Sequence, residues 1–237
     1  MASGEDRTLA YARQLEVDDG RLAEEIGAVV AVETEATALR ERALDAEAFL
    51  AELPAQLDAA AGAFREAETE LEVKRKDVAR ADSELTAVER GRDAEALAAA
   101  RRAVVRGRDA AAMAEKKLER AQASIEGLER RARAIDEDVP RLTEQASLLA
   151  ERAGRIRRLS QGGAAAPEPG LQGTIAWCAR ALAALFVARS GLESEREGVV
   201  RQANELAASV LGEPLAATSA IGARERLEAA LEVQERR

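Results

Sequence analysis

The chain has 237 residues, a formal net charge of −9, no histidine, one cysteine and only 2% aromatic residues. An intrachain disulfide, a histidine-dependent catalytic triad and a His- or Cys-only zinc site are all excluded by that inventory. About a quarter of the residues are alanine and 33% are charged, the composition of long helices and coiled coils.

The N-terminus, MASGEDRTLAYARQ, has no basic start followed by an apolar stretch, and no run of 18 uncharged apolar residues occurs anywhere. Neither a secretory signal nor an ordinary membrane span is expected. With the lone cysteine, a cytoplasmic location is expected. The Ala- and Arg-rich composition points to a bacterial source.

Residues 1–29 read as an amphipathic helix carrying Leu15, Leu22, Ile26 and Val29 on one side. From residue 30 a heptad pattern begins. One column holds Leu50, Leu57, Phe64, Leu71, Val78 and Leu85; a second, three residues on, holds Leu53, Ala60, Ala67, Lys74, Ala81 and Val88. These are the a and d positions of a coiled coil. Pro54 should kink or restart the helix.

The phase breaks after Val88, within Glu89-Arg90-Gly91-Arg92-Asp93, and resumes at Leu97. Glycine suits a helix C-terminus and aspartate the next N-cap, so this is read as a hairpin tip near 90–93. The second arm carries Leu97, Val104, Ala111, Leu118 and Ile125, with Ala100, Gly107, Ala114, Ala121 and Leu128 beside them. Pro140 should bend it. Arms of about 60 residues would each be about 90 Å long. The first 89 residues carry −12 and residues 90–160 carry +5, which favours the two arms pairing with each other.

Residues 160–173 read as a flexible linker. Residues 174–237 read as two or three short helices. Thr174 is the expected first N-cap, Gly191 with the charged run after it an expected break or bend, GEP at Gly212–Pro214 a stop, and Ser219 the cap of a last helix. Ile221, Leu227 and Leu231 are expected on one side of that helix. The predicted fold is all-α: a long antiparallel coiled-coil helical hairpin with a small C-terminal helical bundle.

Nothing in the sequence assembles a catalytic centre, a phosphate loop or a metal site, and no cofactor is implied. Two stretches are candidate contact surfaces. Arg90, Arg92, Arg101, Arg102, Arg106 and Arg108 gather near the expected tip and suit an acidic partner. The absence of aromatic side chains there argues against single-strand nucleic-acid recognition; nucleic-acid association through the phosphates at this Arg-rich tip is the third functional reading. Ile175, Trp177, Cys178, Leu182, Leu185 and Phe186 form an apolar docking face. That face could rest on a membrane surface with Trp177 at headgroup level; burial in a small bundle is the commoner use. Cys178 reads as a packed small residue.

The stretch AVVRGRDAAA, Ala103–Ala112, resembles the basic–Gly–charged–Ala turn near the hairpin tip of the phage-shock/ESCRT-III group. The resemblance implies a peripheral membrane-organising protein and a tip at Gly107. The acidic N-terminal segment departs from the basic or apolar membrane helix of that group. The residue pattern itself favours a non-catalytic scaffold or adaptor. It would act by helix-mediated protein–protein association, as a homo-oligomer with partners not specified by the sequence.

Overall fold

The computed structural model describes residues 4–91, 93–156, 159 and 165–235. Among these the fold is all-helical: α1 (Gly4–Glu89), α2 (Ala94–Arg155), α3 (Leu171–Leu211) and α4 (Ala220–Glu235), with no strand. The chain divides into two compact units. Unit 1 combines residues 1–44 with 140–237; unit 2 is residues 45–139.

In unit 2 the heptad columns are withdrawn from solvent. Ala67, Leu71, Val104 and Ala114 are buried, and the other column residues from Leu50 to Leu128 are half-buried. Charged flanks join α1 to α2: Lys117 Nζ lies 2.6 Å from Glu70, Arg75 contacts Glu115 at 3.1 Å, and Arg108 contacts Asp82 at 3.2 Å. Residue numbers on α2 fall as those on α1 rise. Lys117 holds the Glu70 carboxyl below its ordinary pKa, chiefly through the hydrogen bond between them, and Glu70 raises Lys117 in return. Both groups are exposed, so the pair adds little stability. Phe49 is buried, with the Arg131 guanidinium 4.1 Å from its ring centroid, a cation–π contact that covers the ring from outside.

Between α1 and α2 the chain turns at Arg90 and Gly91, where Gly91 N–H donates to Val88 O at 2.9 Å. The Asp93 carboxylate then accepts the Glu95 and Ala96 N–H groups at 3.0 and 3.2 Å. Two of the unpaired donors that open α2 are satisfied by that cap. The turn at Gly107 implied by the phage-shock/ESCRT-III resemblance is not formed, because Gly107 lies inside α2. A Cβ placed there would come within 3.3 Å of Val78 Cγ2; the missing side chain lets α1 approach.

Neither proline interrupts its helix. α1 runs through Pro54 and α2 through Pro140. Both prolines are exposed, so the lost hydrogen bond falls on the solvated side while the seam side holds each helix together.

Unit 1 has a larger core. Leu22, Val29, Val32, Ala36 and Leu39 of α1 pack with Leu142, Ala146, Leu149 and Ala153 of α2 and with Trp177, Cys178, Leu185 and Leu192 of α3. Ala12 and Leu15 of α1 pack with Ala203 and Ala207 of α3 and with Ala220, Ala223, Leu227 and Leu231 of α4. A fully buried leucine such as Leu185 contributes about 1.5–3 kcal/mol. Alanine at the remaining positions keeps the helices close.

Three local expectations for the C-terminal region are corrected. Thr174 is not an N-cap: α3 already starts at Leu171 after Gly170 (φ 95°), and Thr174 is buried in its first turns. Thr143 Oγ1 accepts the Gly170 N–H at 3.2 Å, within the segment 160–173 expected as a flexible linker. Residues 160–164 of that segment lie outside the described residues. Gly191 does not break α3, because the adjacent Leu192 is fully buried; its packing outweighs the roughly 1 kcal/mol cost of a helical glycine. Ile221 is 44% exposed and does not share the face of Leu227 and Leu231.

The expected stop and last cap are present. Gly212 (φ 73°) ends α3, donating its N–H to Ala208 O at 2.9 Å. Ser219 Oγ accepts the Gly222 N–H at 3.3 Å.

Candidate functional site

The arginine-rich stretch of unit 2 splits into committed and open side chains. Arg108 is held by Asp82, Arg101 reaches Glu89 at 4.0 Å, and Arg102 Nε donates to the Ala98 carbonyl at 3.3 Å. Arg90 is exposed in the turn, and Arg92 lies outside the described residues. Arg101, Arg102 and Arg106, with Ala99 and Val105, line a shallow depression of about 490 Å³. Val105 is 58% exposed in the middle of these arginines. Arg106 has no ion-pair partner among the described residues. The result is an apolar knob ringed by guanidinium groups on one face of α2.

The predicted docking face of α3 is mostly occupied within unit 1. Trp177, Cys178 and Leu185 are buried against α1 and α2, Leu182 packs against the same core, and Ile175 is half-buried. Phe186 departs from this set. It is 57% exposed beside Val187 on the outer side of α3, with the Arg189 guanidinium 5.8 Å from its ring centroid. α3 is long and apolar enough, by length and composition, to cross a membrane. Trp177, proposed for the headgroup level, instead sits in the protein core. Burial raises the Cys178 thiol to a pKa of about 11, which keeps it protonated and unreactive near neutral pH.

One concavity was not anticipated. A groove of about 830 Å³ runs in unit 1 beside α3 and the loop leading to α4. Ile26, Val200 and Leu215 supply apolar surface; Glu193, Glu197 and Glu205 supply carboxylates. Asn204 fixes the loop by a two-point clamp, donating from Nδ2 to Ala217 O at 3.0 Å and accepting the Ala217 N–H at 2.9 Å.

Beneath it, the buried Asp19 accepts from Arg196 Nε at 2.7 Å and from the Ala220 N–H at 3.0 Å. One carboxylate thereby joins α1, α3 and the N-terminus of α4, where a negative charge is favoured. Arg224 of α4 contacts both Glu16 of α1 and Glu228 of its own helix. Two residues carried a signal for these ties. Asp19 stands on the same helical face as Leu15 and Leu22, and Asn204 is a poor helix former in the middle of a helix.

No family model, curated protein or solved structure matches the chain.

Proposed function

We propose that the protein is a non-catalytic scaffold or adaptor, built on an antiparallel coiled-coil hairpin of α1 and α2, that acts by helix-mediated association with proteins and with itself. The observation that carries this reading is the burial pattern of unit 2. Both apolar columns of α1 and α2 are withdrawn from solvent, while charged pairs such as Glu70–Lys117 and Asp82–Arg108 flank them. That is the arrangement by which paired helices select partner and orientation.

Unit 1 supports the same reading. Three of its buried or partly buried polar side chains, Asp19, Asn204 and Arg224, are engaged in holding helices and a loop together. Large apolar side chains remain on outward faces, with Phe186 and Val187 adjacent on α3 and Val105 and Met113 on α2. These faces suit contact with other helices.

Light scattering on the full chain after size exclusion tests the self-association. A mass above that of one chain, rising with concentration in the micromolar range, is expected. A mass of one chain throughout that range removes self-assembly from the reading.

A further inference from the structure

We propose that the groove of unit 1 is the receptor for the basic end of unit 2 of a second copy, giving a head-to-tail contact. This rests on the self-association proposed above and names the surfaces that carry it. The groove joins an apolar floor to carboxylates. Glu197 and Glu205, two turns apart on α3, have no ion-pair partner among the described residues. Glu193 lies 3.8 Å from Arg189, which is held more closely by Glu33 at 2.9 Å.

Two arginines also border the groove. Arg196 is neutralised by Asp19, so Arg201 is the base on that wall without an ion-pair partner among the described residues. The surface is therefore apolar below and predominantly acidic along one side.

The face formed by Arg102, Val105 and Arg106 is its complement. An exposed valine stands between guanidinium groups one turn apart on α2. Seated in the groove, Val105 would meet the apolar floor while the long Arg102 and Arg106 side chains splay along the wall that carries Glu197 and Glu205. Arg106 and the two glutamates gain partners they otherwise lack. The asymmetry matters: a contact between two different faces is heterologous, so it propagates into a ring or an open chain. Its exposed ion pairs make it weak and strongly salt-dependent.

The groove itself is held open by the Asn204 clamp on Ala217 and by Asp19 on Ala220. A preformed wall lowers the ordering cost of binding.

Sedimentation velocity on the full chain tests this, in about 50 mM and about 500 mM salt, conditions between which the screening length shortens severalfold. Three variants are compared with the wild type: Glu197→Lys with Glu205→Lys, Arg102→Glu with Arg106→Glu, and all four together. Circular dichroism confirms that each is folded; all four positions are exposed or at the groove wall.

Wild-type association should weaken with salt. Each double reversal should weaken it by about tenfold or more, the scale of two exposed pairs turned repulsive. The four-substitution chain, with both charges exchanged, should recover association. If either double reversal associates like the wild type, or if the exchanged chain does not recover, the groove contact is overturned while self-assembly stands. If the wild type is a single chain at every concentration, self-assembly falls with it.

Discussion

Asp19 and Arg196 meet at 2.7 Å although 177 residues separate them in the chain. The second Asp19 oxygen takes the Ala220 N–H, 201 residues away. A single buried carboxylate thus fixes three helices of unit 1. Replacing Asp19 with alanine leaves the Ala220 N–H without its acceptor and removes the charge at the start of α4. A loss of about 2 kcal/mol is expected. Arg196 is 38% exposed and regains water, which keeps the cost below that of a fully buried pair. Arg196→Met instead leaves the buried Asp19 carboxylate without its guanidinium partner and should cost more than Asp19→Ala. Urea unfolding of the three proteins checks the order; an unchanged midpoint for Asp19→Ala would contradict the role assigned to it.

Two helical glycines should respond in opposite directions to alanine. A Cβ at Gly173 would lie 2.0 Å from the Glu168 carbonyl oxygen, whereas at Gly127 it would meet nothing within 4 Å. Gly127→Ala should stabilise by about 0.5–1 kcal/mol through helix propensity. Gly173→Ala should destabilise by about 1–3 kcal/mol, because the segment before α3 must move. Thermal or urea unfolding with the two variants side by side gives the sign of each.

Gly107 is the intermediate case. Its added methyl would touch Val78 Cγ2 at 3.3 Å, so helix propensity and crowding nearly cancel. Gly107→Ala should change stability by less than about 0.5 kcal/mol, and Gly107→Leu should lose about 1–3 kcal/mol. Adding Val78→Ala to Gly107→Leu should recover part of that loss. A double-mutant cycle measures the recovery; strict additivity would mean the two residues do not touch.

Cys178 gives a prediction with a pH sign. Its thiol is raised from 9.0 to about 11 in the folded protein, first of all by burial. The unfolded chain therefore loses this proton at lower pH than the folded one. The corresponding stability is complete below pH 9 and is lost as pH rises to about 11, an effect on the order of 2 kcal/mol. The alkaline fall in stability should be smaller in Cys178→Ala than in the wild type. At pH 8 a thiol reagent should label Cys178 slowly in the native protein and rapidly in urea.

The helical character was legible because apolar side chains recur along the chain at heptad spacing. The column from Leu50 to Leu85 needed only that period to be read, and Gly91 with Asp93 marked the end of one helix and the start of the next. Position-specific chemistry also served at Gly212 and Ser219. The α3 boundaries were harder, since Gly191 carries a local cost that only the burial of Leu192 overrides. Thr174 looked like a cap because capping is local, while its burial depends on distant packing. Asp19, Asn204 and the groove they support depend on contacts between helices and loops far apart in the chain. Spacing along one helix contains no record of these. The exposure of Phe186 is similar: a helix apolar on more than one side does not announce which side meets the core.

The division of the chain has a consequence for the order of assembly. Unit 2 is an uninterrupted stretch, residues 45–139, lying between the two parts of unit 1. Its α1–α2 contacts close short loops, such as that from Asp82 to Arg108, a sequence separation of 26, and become available while the chain is still growing. Unit 1 is different. Asp19 leaves the ribosome long before its backbone partner at Ala220, which arrives 201 residues later. Until then Leu15, Leu22 and Val29 have no complete core to enter. Closing a loop of that size is slower than closing the short loops of unit 2. The Asp19–Ala220 bond therefore acts as a mark that unit 1 has closed, formed only after both of its stretches of chain have emerged.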